Sequence, residues 1–304
     1  MIHKPRTISS ELLTLRHLNL RMHLPPSDKQ HLLNLNKGFE GELKFDTWTE
    51  KLSCDCLILN DLLLKMNNTH FQIDSTIITA NIVYIYEVKN LKGDYIYDTQ
   101  KDKVFQMLRK REIVNPLSQL ARGESLFSQL MLKLGFNLPI DGSVVFVNNE
   151  FSLYQAPPDK PMIYLPQLNR YFRQFNSETA QLNKKHFLMA DKLASLHIRN
   201  SRYKQIPSYN YDTLRKGITC FKCKSFSLFI KGSNCICEKC TYKESISMVV
   251  LRSVNEFQLL FPQKKITTNI IHDWCQVVKS KKTVHSILSS NFKAKGEKSW
   301  MYFE

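Results

Sequence analysis

Two neighbouring runs of β-branched and aromatic residues constrain the fold of this chain most. One covers residues 72–79, the other covers residues 82–89, and a two-residue polar break separates them. Residues of these types favour strands, so the two runs predict a β-hairpin. If the two intervening residues form the turn, counting back along both strands places Asp74 directly opposite Glu87.

These facing acids predict a metal site. Opposed side chains on one face of a sheet lie roughly 4.5–5.5 Å apart at Cβ, where two carboxylates repel each other unless a cation or a shared proton lies between them. Lys89 is two residues beyond Glu87 and projects from the same face. The alternative is that all three side chains point into solvent. Ala80-Asn81 is not a favoured hairpin turn, and a one-residue slip would move Asp74 to the other face.

Four short motifs occur in order around the hairpin. They are Gly38-Phe39-Glu40-Gly41-Glu42, Gln72-Ile73-Asp74, Glu87-Val88-Lys89-Asn90 and Asn115-Pro116-Leu117-Ser118-Gln119. Together they resemble the nuclease-related domain (NERD), a branch of the PD-(D/E)XK nuclease superfamily, over about residues 10–175. Ser75 stands where family members often carry His, and no tryptophan follows Gly93 in the next segment. Neither departure removes a metal-binding carboxylate.

The resemblance implies a metal-dependent nuclease that hydrolyses phosphodiester bonds, with DNA favoured over RNA as substrate. Asp74 and Glu87 would bind Mg²⁺ or Mn²⁺, and the Val88 carbonyl would be a further ligand, because hard cations prefer oxygen. Lys89 would orient the attacking water or offset charge in the transition state.

Two helices would each bring one more polar side chain to this site. In the helix predicted over residues 28–52, Glu42 borders an apolar stripe that ends at Leu43. The family motif favours Glu42 as an auxiliary acid acting through a second metal or a bound water, and Gln119 as a contact from the helix over residues 116–134. Without that motif, an exposed glutamate and a structural glutamine are the simpler interpretations.

Strands with helices before and after them predict an α/β core, and the resemblance implies a restriction-endonuclease-like mixed sheet flanked by helices. The nuclease-related domain is expected over residues 1–175, followed by a linking helix within residues 176–210. Apart from the hairpin, the predicted helices and strands cover residues 11–24, 28–52, 116–134 and 177–198, and residues 56–61, 93–97 and 144–147, respectively. The last of these strands is expected to close the sheet.

Four cysteines predict a structural zinc ribbon over residues 211–250. Cys220-x2-Cys223 and Cys237-x2-Cys240 are separated by thirteen residues, and each pair offers two sulfurs to a tetrahedral Zn²⁺. A redox Cys-x-x-Cys motif would not need two such pairs. Cys235 is interpreted as a packing residue or a bystander. Because a small ribbon builds little core, zinc would supply its folding energy.

The last third of the chain carries most of the positive charge. The net charge is +16, and residues 201–304 contain 18 Lys and Arg against 7 Asp and Glu. Such a basic surface favours nucleic acid as a partner. Within residues 262–304, predicted helices at 266–277 and 281–292 and a basic hairpin resemble a winged helix-turn-helix, whose second helix enters a DNA groove. Winged folds also dock proteins.

Composition limits the remaining alternatives. No apolar run approaches the roughly 18–20 residues of a membrane span, and no apolar stretch typical of a signal peptide follows Met1, so the cytoplasm is expected. Clustered cysteines there favour metal over disulfides. The runner-up function is a catalytically weak or inactive nucleic-acid-binding protein that acts through the ribbon and the basic tail. A more remote alternative is a scaffold for protein partners.

Overall fold

The computed structural model describes residues 1–177, 180–199, 204–297 and 300–304. The chain divides into two compact units. The sheet unit comprises residues 1–9 and 33–203, and the cysteine unit comprises residues 10–32 and 204–304. The predicted domain limits differ from this division, because they group residues 10–32 with the first domain.

The helices and strands occupy the following ranges. The helices are α1 (Ser10–Arg21), α2 (Pro26–Thr49), α3 (Pro116–Lys133), α4 (Leu168–Phe175), α5 (Lys184–Leu196), α6 (Ile246–Leu260), α7 (Thr268–Cys275) and α8 (Lys281–Asn291). The strands are β1 (Ile2–Lys4), β2 (Leu57–Met66), β3 (Thr69–Ile78), β4 (Val83–Lys89), β5 (Gly93–Asp98), β6 (Lys103–Gln106), β7 (Arg111–Ile113), β8 (Ile140–Phe146), β9 (Phe151–Tyr154), β10 (Met162–Tyr164), β11 (Leu228–Lys231), β12 (Asn234–Cys237), β13 (Lys243–Ser245), β14 (Ala294–Lys295) and β15 (Tyr302–Phe303). Within the described ranges, no helix is long and apolar enough to cross a membrane.

A six-stranded mixed sheet forms the centre of the sheet unit. Its strand order is β1-β2-β3-β4-β8-β10, with β2, β3 and β4 antiparallel and the outer strands parallel to their neighbours. Helices α3 and α5 pack on one face of the sheet, and α2 and α4 pack on the other. The predicted α/β fold, a mixed sheet flanked by helices, is therefore confirmed.

The central hairpin has the predicted register. Ile78 pairs with Val83, and the pairing continues without a register shift as far as Ser75 and Tyr86. The Thr79 N–H donates to the Ile82 carbonyl at 3.0 Å, which closes the two-residue turn. A turn without the favoured Asn-Gly sequence is tolerated here because buried side chains on both faces of β3 and β4 fix the register.

Three details of the sheet unit differ from the predictions. β8 does not close the sheet, because β10 pairs with its outer side. The buried face of α2 contains Phe45, whereas Leu43 is exposed. The helix predicted over residues 177–198 begins at Lys184, where the Asn183 side chain caps it. Two residues of that prediction, Glu178 and Thr179, lie outside the described residues.

A second, smaller sheet extends the unit beyond β4. Its strand order is β7-β6-β5-β9, and it contains the strand predicted at residues 93–97. Tyr95, Tyr97 and Val104 are buried between this sheet and neighbouring apolar side chains, including Leu117 at the start of α3. In the chain, β5 follows β4 and β7 precedes α3, so the small sheet is connected to both elements.

The cysteine unit combines a three-stranded antiparallel sheet, β11-β12-β13, with a helical module. In that module α6, α7 and α8 are followed by the β14–β15 pair, and Ile266 bridges Phe303. This order of elements is compatible with the predicted winged helix-turn-helix-like module, which stays a prediction, and α6 lies outside its predicted range of 262–304. In the predicted basic turn, Lys298 and Ser299 lie outside the described residues.

A buried ion pair explains why residues 10–32 group with the C-terminal part. Arg21 on α1 donates to the Glu256 carboxylate on α6 at 2.7 and 3.0 Å, and its guanidinium lies 4.0 Å from the centre of the Trp274 ring. Burial raises the pKa of Glu256, but hydrogen bonds from His17 and Arg21 outweigh it and lower the pKa to about 2. Glu256 is therefore held as a carboxylate.

Candidate functional site

The sheet forks at the predicted site. The ladder between β3 and β4 ends at the pair Ser75 and Tyr86. Beyond it, β3 continues to pair with β2, and β4 continues to pair with β8. Asp74 and Glu87, the next residues on each strand, therefore lie at the opening of the fork rather than forming a ladder pair. The predicted register is correct, but the direct opposition of the two acids is not.

The side chain of Asp74 connects the two separated strands, because it accepts a hydrogen bond from the backbone of β4. Its Oδ2 accepts a hydrogen bond from the Val88 N–H at 2.8 Å, in place of the carbonyl that a continuing β3–β4 ladder would supply. Burial raises the pKa of Asp74 well above its ordinary value, and the nearby carboxylates of Glu87 and Glu42 raise it further. The Val88 amide and Lys89 oppose this shift. Asp74 is therefore a buried acid that a cation would stabilise in its charged form.

Lys89 and Glu87 project from the same side of β4, as predicted. The Lys89 Nζ lies 2.6 Å from the Glu87 Oε1, and the two side chains are 19% and 17% exposed. The pair is thus only partly accessible to solvent. A positive charge therefore lies directly against one of the two acids of the fork.

The Val88 carbonyl also faces the opening. The Val83 N–H donates to Pro139 and the Lys89 carbonyl accepts from Val147, so the odd-numbered residues of β4 bond toward the β8 side. Because backbone groups alternate along a strand, Val88 directs its N–H and C=O toward β3, from which β4 has separated. This orientation agrees with the prediction that the Val88 carbonyl is a further ligand.

These donors fit a hard divalent cation. Asp74 Oδ1 and Glu87 Oε2 accept no hydrogen bond from the described residues, and the Val88 carbonyl adds a third oxygen. Two carboxylates and a carbonyl suit Mg²⁺ or Mn²⁺, which keep several waters or phosphate oxygens as their remaining ligands. The side chains do not yet converge, since within the described ranges only the four cysteines bring three or more side-chain ligand atoms together.

Glu42 reaches the site through an arginine. Arg6 is almost fully buried, and its guanidinium donates to Glu42 Oε2 at 2.6 Å, to both oxygens of Asp46 at 2.8 and 2.9 Å, and to the Asp74 carbonyl at 2.8 Å. Burial raises the pKa of Glu42, Arg6 lowers it, and the neighbouring acids Asp61 and Asp46 raise it again, so that it remains above its ordinary value. Arg6 thus links the helix α2 to the backbone of β3.

The Gly-x-x-Gly-Glu motif allows α2 to approach the end of β4. A Cβ on Gly41 would lie 2.5 Å from the Cβ of Asn90, so only glycine fits there. Asn90 donates to the Lys37 carbonyl at 2.8 Å and accepts from Asn148 at 2.9 Å. This close contact brings Glu42, one residue beyond Gly41, to the edge of the fork.

The Asn-Pro-x-x-Gln motif begins α3. The Asn115 side chain accepts from the Leu117 N–H at 3.0 Å and donates to the Asp102 carbonyl at 2.8 Å, so it caps the helix and fixes it to the small sheet. Gln119, one turn into the helix, lines a cleft together with Gln72 and Glu87. The structure therefore brings all five predicted site residues to one region.

Two residues of this region were not predicted. Arg6 precedes the motifs by more than thirty residues, and nothing in the local sequence marks it. Asp61 sits at a φ of 54° in β2, between residues that pair with Ser75 and Ile73, so it lies beside Asp74. Counting across the β2–β3 hairpin would have found Asp61, because it interrupts an apolar run at the level of Asp74.

The four cysteines of the cysteine unit form two equivalent knuckles. In each, the residue after the second cysteine has a positive φ, 59° at Lys224 and 57° at Thr241. Its N–H donates to the carbonyl of the first cysteine, at 3.1 Å to Cys220 and at 2.9 Å to Cys237. The two knuckles therefore present their thiols with the same local backbone geometry.

The sulfurs already have the spacing of a zinc site. Sγ of Cys220 lies 3.5 Å from that of Cys240, Sγ of Cys223 lies 3.6 Å from that of Cys237, and all four lie within 4.8 Å of one another. A tetrahedron with zinc–sulfur bonds of 2.3 Å has edges of about 3.8 Å. The arrangement is compatible with the predicted zinc ribbon. Cys235 is buried on β12 and is not part of this cluster, as predicted.

Comparison with known proteins agrees with this geometry. Residues 37–147 match the family model of the nuclease-related domain, NERD. That segment contains every predicted residue of the fork, and it is shorter than the stretch of resemblance expected from the motifs. The chain therefore carries a nuclease-related domain, in agreement with a PD-(D/E)XK placement, whereas Arg6 and the cysteine unit lie outside the match. Neither the curated proteins nor the solved structures contain a match to this chain.

Proposed function

We propose that this chain is a metal-dependent nuclease that hydrolyses phosphodiester bonds of DNA at the fork. The observation that carries the proposal is that Asp74, Glu87 and Lys89 all lie at the point where β3 and β4 separate, inside a nuclease-related domain. Two acids and a lysine at the end of paired strands meet the needs of phosphate hydrolysis, namely oxygen ligands for a cation and a positive charge beside the reacting phosphate.

Asp74, Glu87 and the Val88 carbonyl would hold Mg²⁺ or Mn²⁺. The ion would polarise the scissile phosphate and lower the pKa of an attacking water. Lys89 would leave Glu87 and bind the phosphate or the water that attacks it, because a compact ammonium can serve as a mobile point charge. The raised pKa of Asp74 supports an ion at this position, since the metal would relieve the cost of a buried negative charge.

Glu42, Arg6 and Gln119 would complete the site. Arg6 fixes Glu42 and the Asp74 backbone together, so Glu42 acts from a set position on a bound water or a second ion. Gln119 is exposed at the cleft beside Glu87 and can donate to a phosphate oxygen. In this assignment Arg6 is a positioning residue, because it touches the acids and not the substrate.

DNA is favoured over RNA because the order of elements at the end of the cysteine unit is compatible with a winged helix-turn-helix, a fold that typically reads a duplex groove. The zinc-binding thiols need a reducing compartment, which supports a cytoplasmic location. DNA processing, repair and defence against foreign DNA all require such an activity.

A second function is favoured by a specific observation. The two modules predicted outside the family match, a zinc ribbon at the four-cysteine cluster and a winged helix-turn-helix-like tail, are of types common in nucleic-acid binding. A catalytically weak or inactive protein that binds nucleic acid through these modules would need no metal at the fork. It would bind the same substrates without cutting them.

Cleavage assays separate the two functions. Full-length protein supplied with Mg²⁺ or Mn²⁺ is incubated with plasmid, linear duplex, single-stranded DNA and RNA. We expect DNA cleavage by the wild type and a loss on the order of 10²-fold or more for Lys89→Ala and Glu87→Ala, as for other groups that stabilise a transition state directly.

The exposed ion pair between Lys92 and Glu150, 2.7 Å apart, provides matched controls in the same unit. Lys92→Ala and Glu150→Ala should cleave like the wild type. Binding without cleavage of any substrate would favour the second function. Equal cleavage by Lys89→Ala and the wild type would assign the activity to a contaminant.

A further inference from the structure

One hairpin of the small sheet presents an apolar tip to solvent. Residues 107–110 connect β6 to β7, and Leu108 within them is 91% exposed, the highest value for a large apolar side chain in the described parts of the chain. Met107 beside it is 45% exposed. Single exposed apolar side chains are common on protein surfaces, so what distinguishes this tip is the combination of two adjacent apolar side chains with the charges beside them.

The tip has a fixed backbone conformation. The Met107 N–H donates to the Asp94 carbonyl at 3.0 Å, and the Lys110 N–H donates to the Met107 carbonyl at 3.3 Å. Lys110 adopts a positive φ of 48°, which closes the turn. Leu108 is therefore held outward by a hydrogen-bonded turn whose first residue is anchored to β5.

Three cations follow the apolar residues directly. Arg109, Lys110 and Arg111 are exposed, and none forms an ion pair with any described residue. Other cations of the same region are compensated, since Lys103 lies 2.9 Å from Glu112 and Lys101 lies 3.8 Å from Asp98. The tip therefore combines an apolar point with uncompensated positive charge, which complements a polyanion that has an apolar interior.

The tip also lies near the fork. The Met107 N–H is hydrogen-bonded to the Asp94 carbonyl, and Asp94 is five residues beyond Lys89 in the same unit. Five residues span at most about 18 Å, so the Met107 backbone lies within roughly 20–25 Å of the Lys89 backbone. At about 3.4 Å per base pair, a base step that contacts the tip would lie no more than about seven pairs from the fork.

We propose that residues 107–111 form a wedge that enters the base stack of duplex DNA beside the site of cleavage. Leu108 and Met107 insert between base pairs, as apolar side chains do in proteins that kink DNA, and the three cations bind the flanking phosphates. This inference rests on the proposed function for the identity of the substrate. A protein partner would have to be acidic to complement the three cations, and the experiments below distinguish it from DNA.

Unstacking is measured directly with 2-aminopurine, a base analogue that brightens when it loses its stacking partners. Full-length Lys89→Ala protein, used so that the DNA stays intact, is titrated with duplexes that carry the analogue at successive positions. We expect a fluorescence increase confined to one or two neighbouring steps. Leu108→Ser in the same background should abolish the increase, whereas Leu188→Ser, which alters another largely exposed leucine of the sheet unit, should retain it.

The salt dependence of binding tests the cations. Each lost phosphate contact lowers the slope of log affinity against log salt by about 0.9, so Arg109→Ser and Arg111→Ser should each reduce it by roughly that amount. Arg170→Ser, an exposed arginine on α4, should not. Binding without a 2-aminopurine signal at any position, or an unchanged signal in Leu108→Ser, would overturn the wedge.

The two proposals fail separately. If the wild type cuts DNA normally but no base step brightens, the wedge is wrong and the nuclease assignment stands. If base steps brighten but the wild type cuts nothing, the wedge stands and the nuclease assignment is wrong. Absence of any duplex binding overturns the wedge, and capture of a protein through Leu108 in its place would identify the other kind of partner.

Discussion

The fork and the cysteine cluster are both candidate metal sites, but they are assembled in opposite ways. The four sulfurs of the ribbon already lie within 4.8 Å of one another, whereas the acids of the fork are each held by a different protein partner: Asp74 by an amide, Glu87 by Lys89, and Glu42 by Arg6. The ribbon is therefore shaped for one resident ion. In the fork the acids stay apart, and under the proposed function an ion and the substrate would bring them together.

The difference follows from the amount of core around each site. The fork lies in a sheet with buried clusters on both faces, so its backbone is fixed without a metal. The ribbon consists of three strands of three or four residues, with exposed Phe221 and Phe229. Such a small element folds only if the ligands and their ion supply the missing stability. We therefore expect metal to serve reactivity in one unit and folding in the other.

Removing the ribbon's zinc should have the largest effect. Binding of a structural zinc contributes an apparent 10–16 kcal/mol or so in zinc-finger peptides, so Cys223→Ser should lose the ion and unfold residues 220–245. Hydrogen exchange of those residues should become fast while that of β2, β3 and β4 stays slow. Cys54→Ser, which alters a half-buried thiol outside the cluster, should keep about one zinc per chain. If protein purified without chelator contained no zinc, the four cysteines would not hold a resident ion, and the contrast with the fork would be wrong.

Breaking the arginine network of the fork should have the next largest effect. Arg6→Met leaves the carboxylates of Glu42 and Asp46 without their buried partner, which costs about 3–5 kcal/mol when one member of a buried ion pair is removed. Lys92→Met, which breaks an exposed pair in the same unit, should cost less than about 1 kcal/mol. Urea denaturation measures both. Similar losses for the two variants would mean that the fork is not held in place by Arg6.

The raised pKa of Asp74 predicts a smaller effect, a loss of stability as the pH rises. Its pKa in the folded state is raised by burial and by Glu87 and Glu42, so the folded protein binds a proton that the unfolded chain has released. Stability from this group is complete below the unfolded value near 3.9 and is lost as pH rises through the folded pKa. In metal-free protein the loss approaches about 1.4 kcal/mol per pH unit within that window.

Asp74→Asn tests this directly. The amide oxygen can still accept the Val88 N–H, so the variant should fold but should lose this part of the pH dependence, measured by urea denaturation at a series of pH values. It should also lose the stabilisation that Mg²⁺ gives the wild type. An unchanged pH profile in Asp74→Asn would mean that Asp74 does not carry the cost of a buried negative charge that an ion is expected to relieve.

The contrast between the sites also explains what could be predicted from sequence. The cysteine pairs and the hairpin register depend on local spacing, and both are correct to the residue. The fork itself was not predicted, because the end of a ladder depends on the neighbouring strands: β3 follows β2 and β4 follows β8. Arg6 was missed for the same reason, since only the packing of α2 on the sheet brings residue 6 to Glu42 and Asp46. Local patterns therefore indicated the candidate residues, and tertiary packing set their geometry.

The smallest predicted effect concerns the first turn of α8. Lys281 and Lys282 lie at the N-terminal end of this helix, where positive charge opposes the helix dipole and costs a few tenths of a kcal/mol. DNA phosphates at this end would offset that cost. Lys282→Gln should therefore raise thermal stability slightly and reduce the salt slope of DNA binding by about 0.9, without changing the cleavage rate at saturating DNA. Lys29→Gln, an exposed lysine near the start of α2 in the same unit, provides the matched control. A lower cleavage rate at saturation in Lys282→Gln would contradict the comparison, because the cysteine unit would then contribute to the reaction and not only to binding.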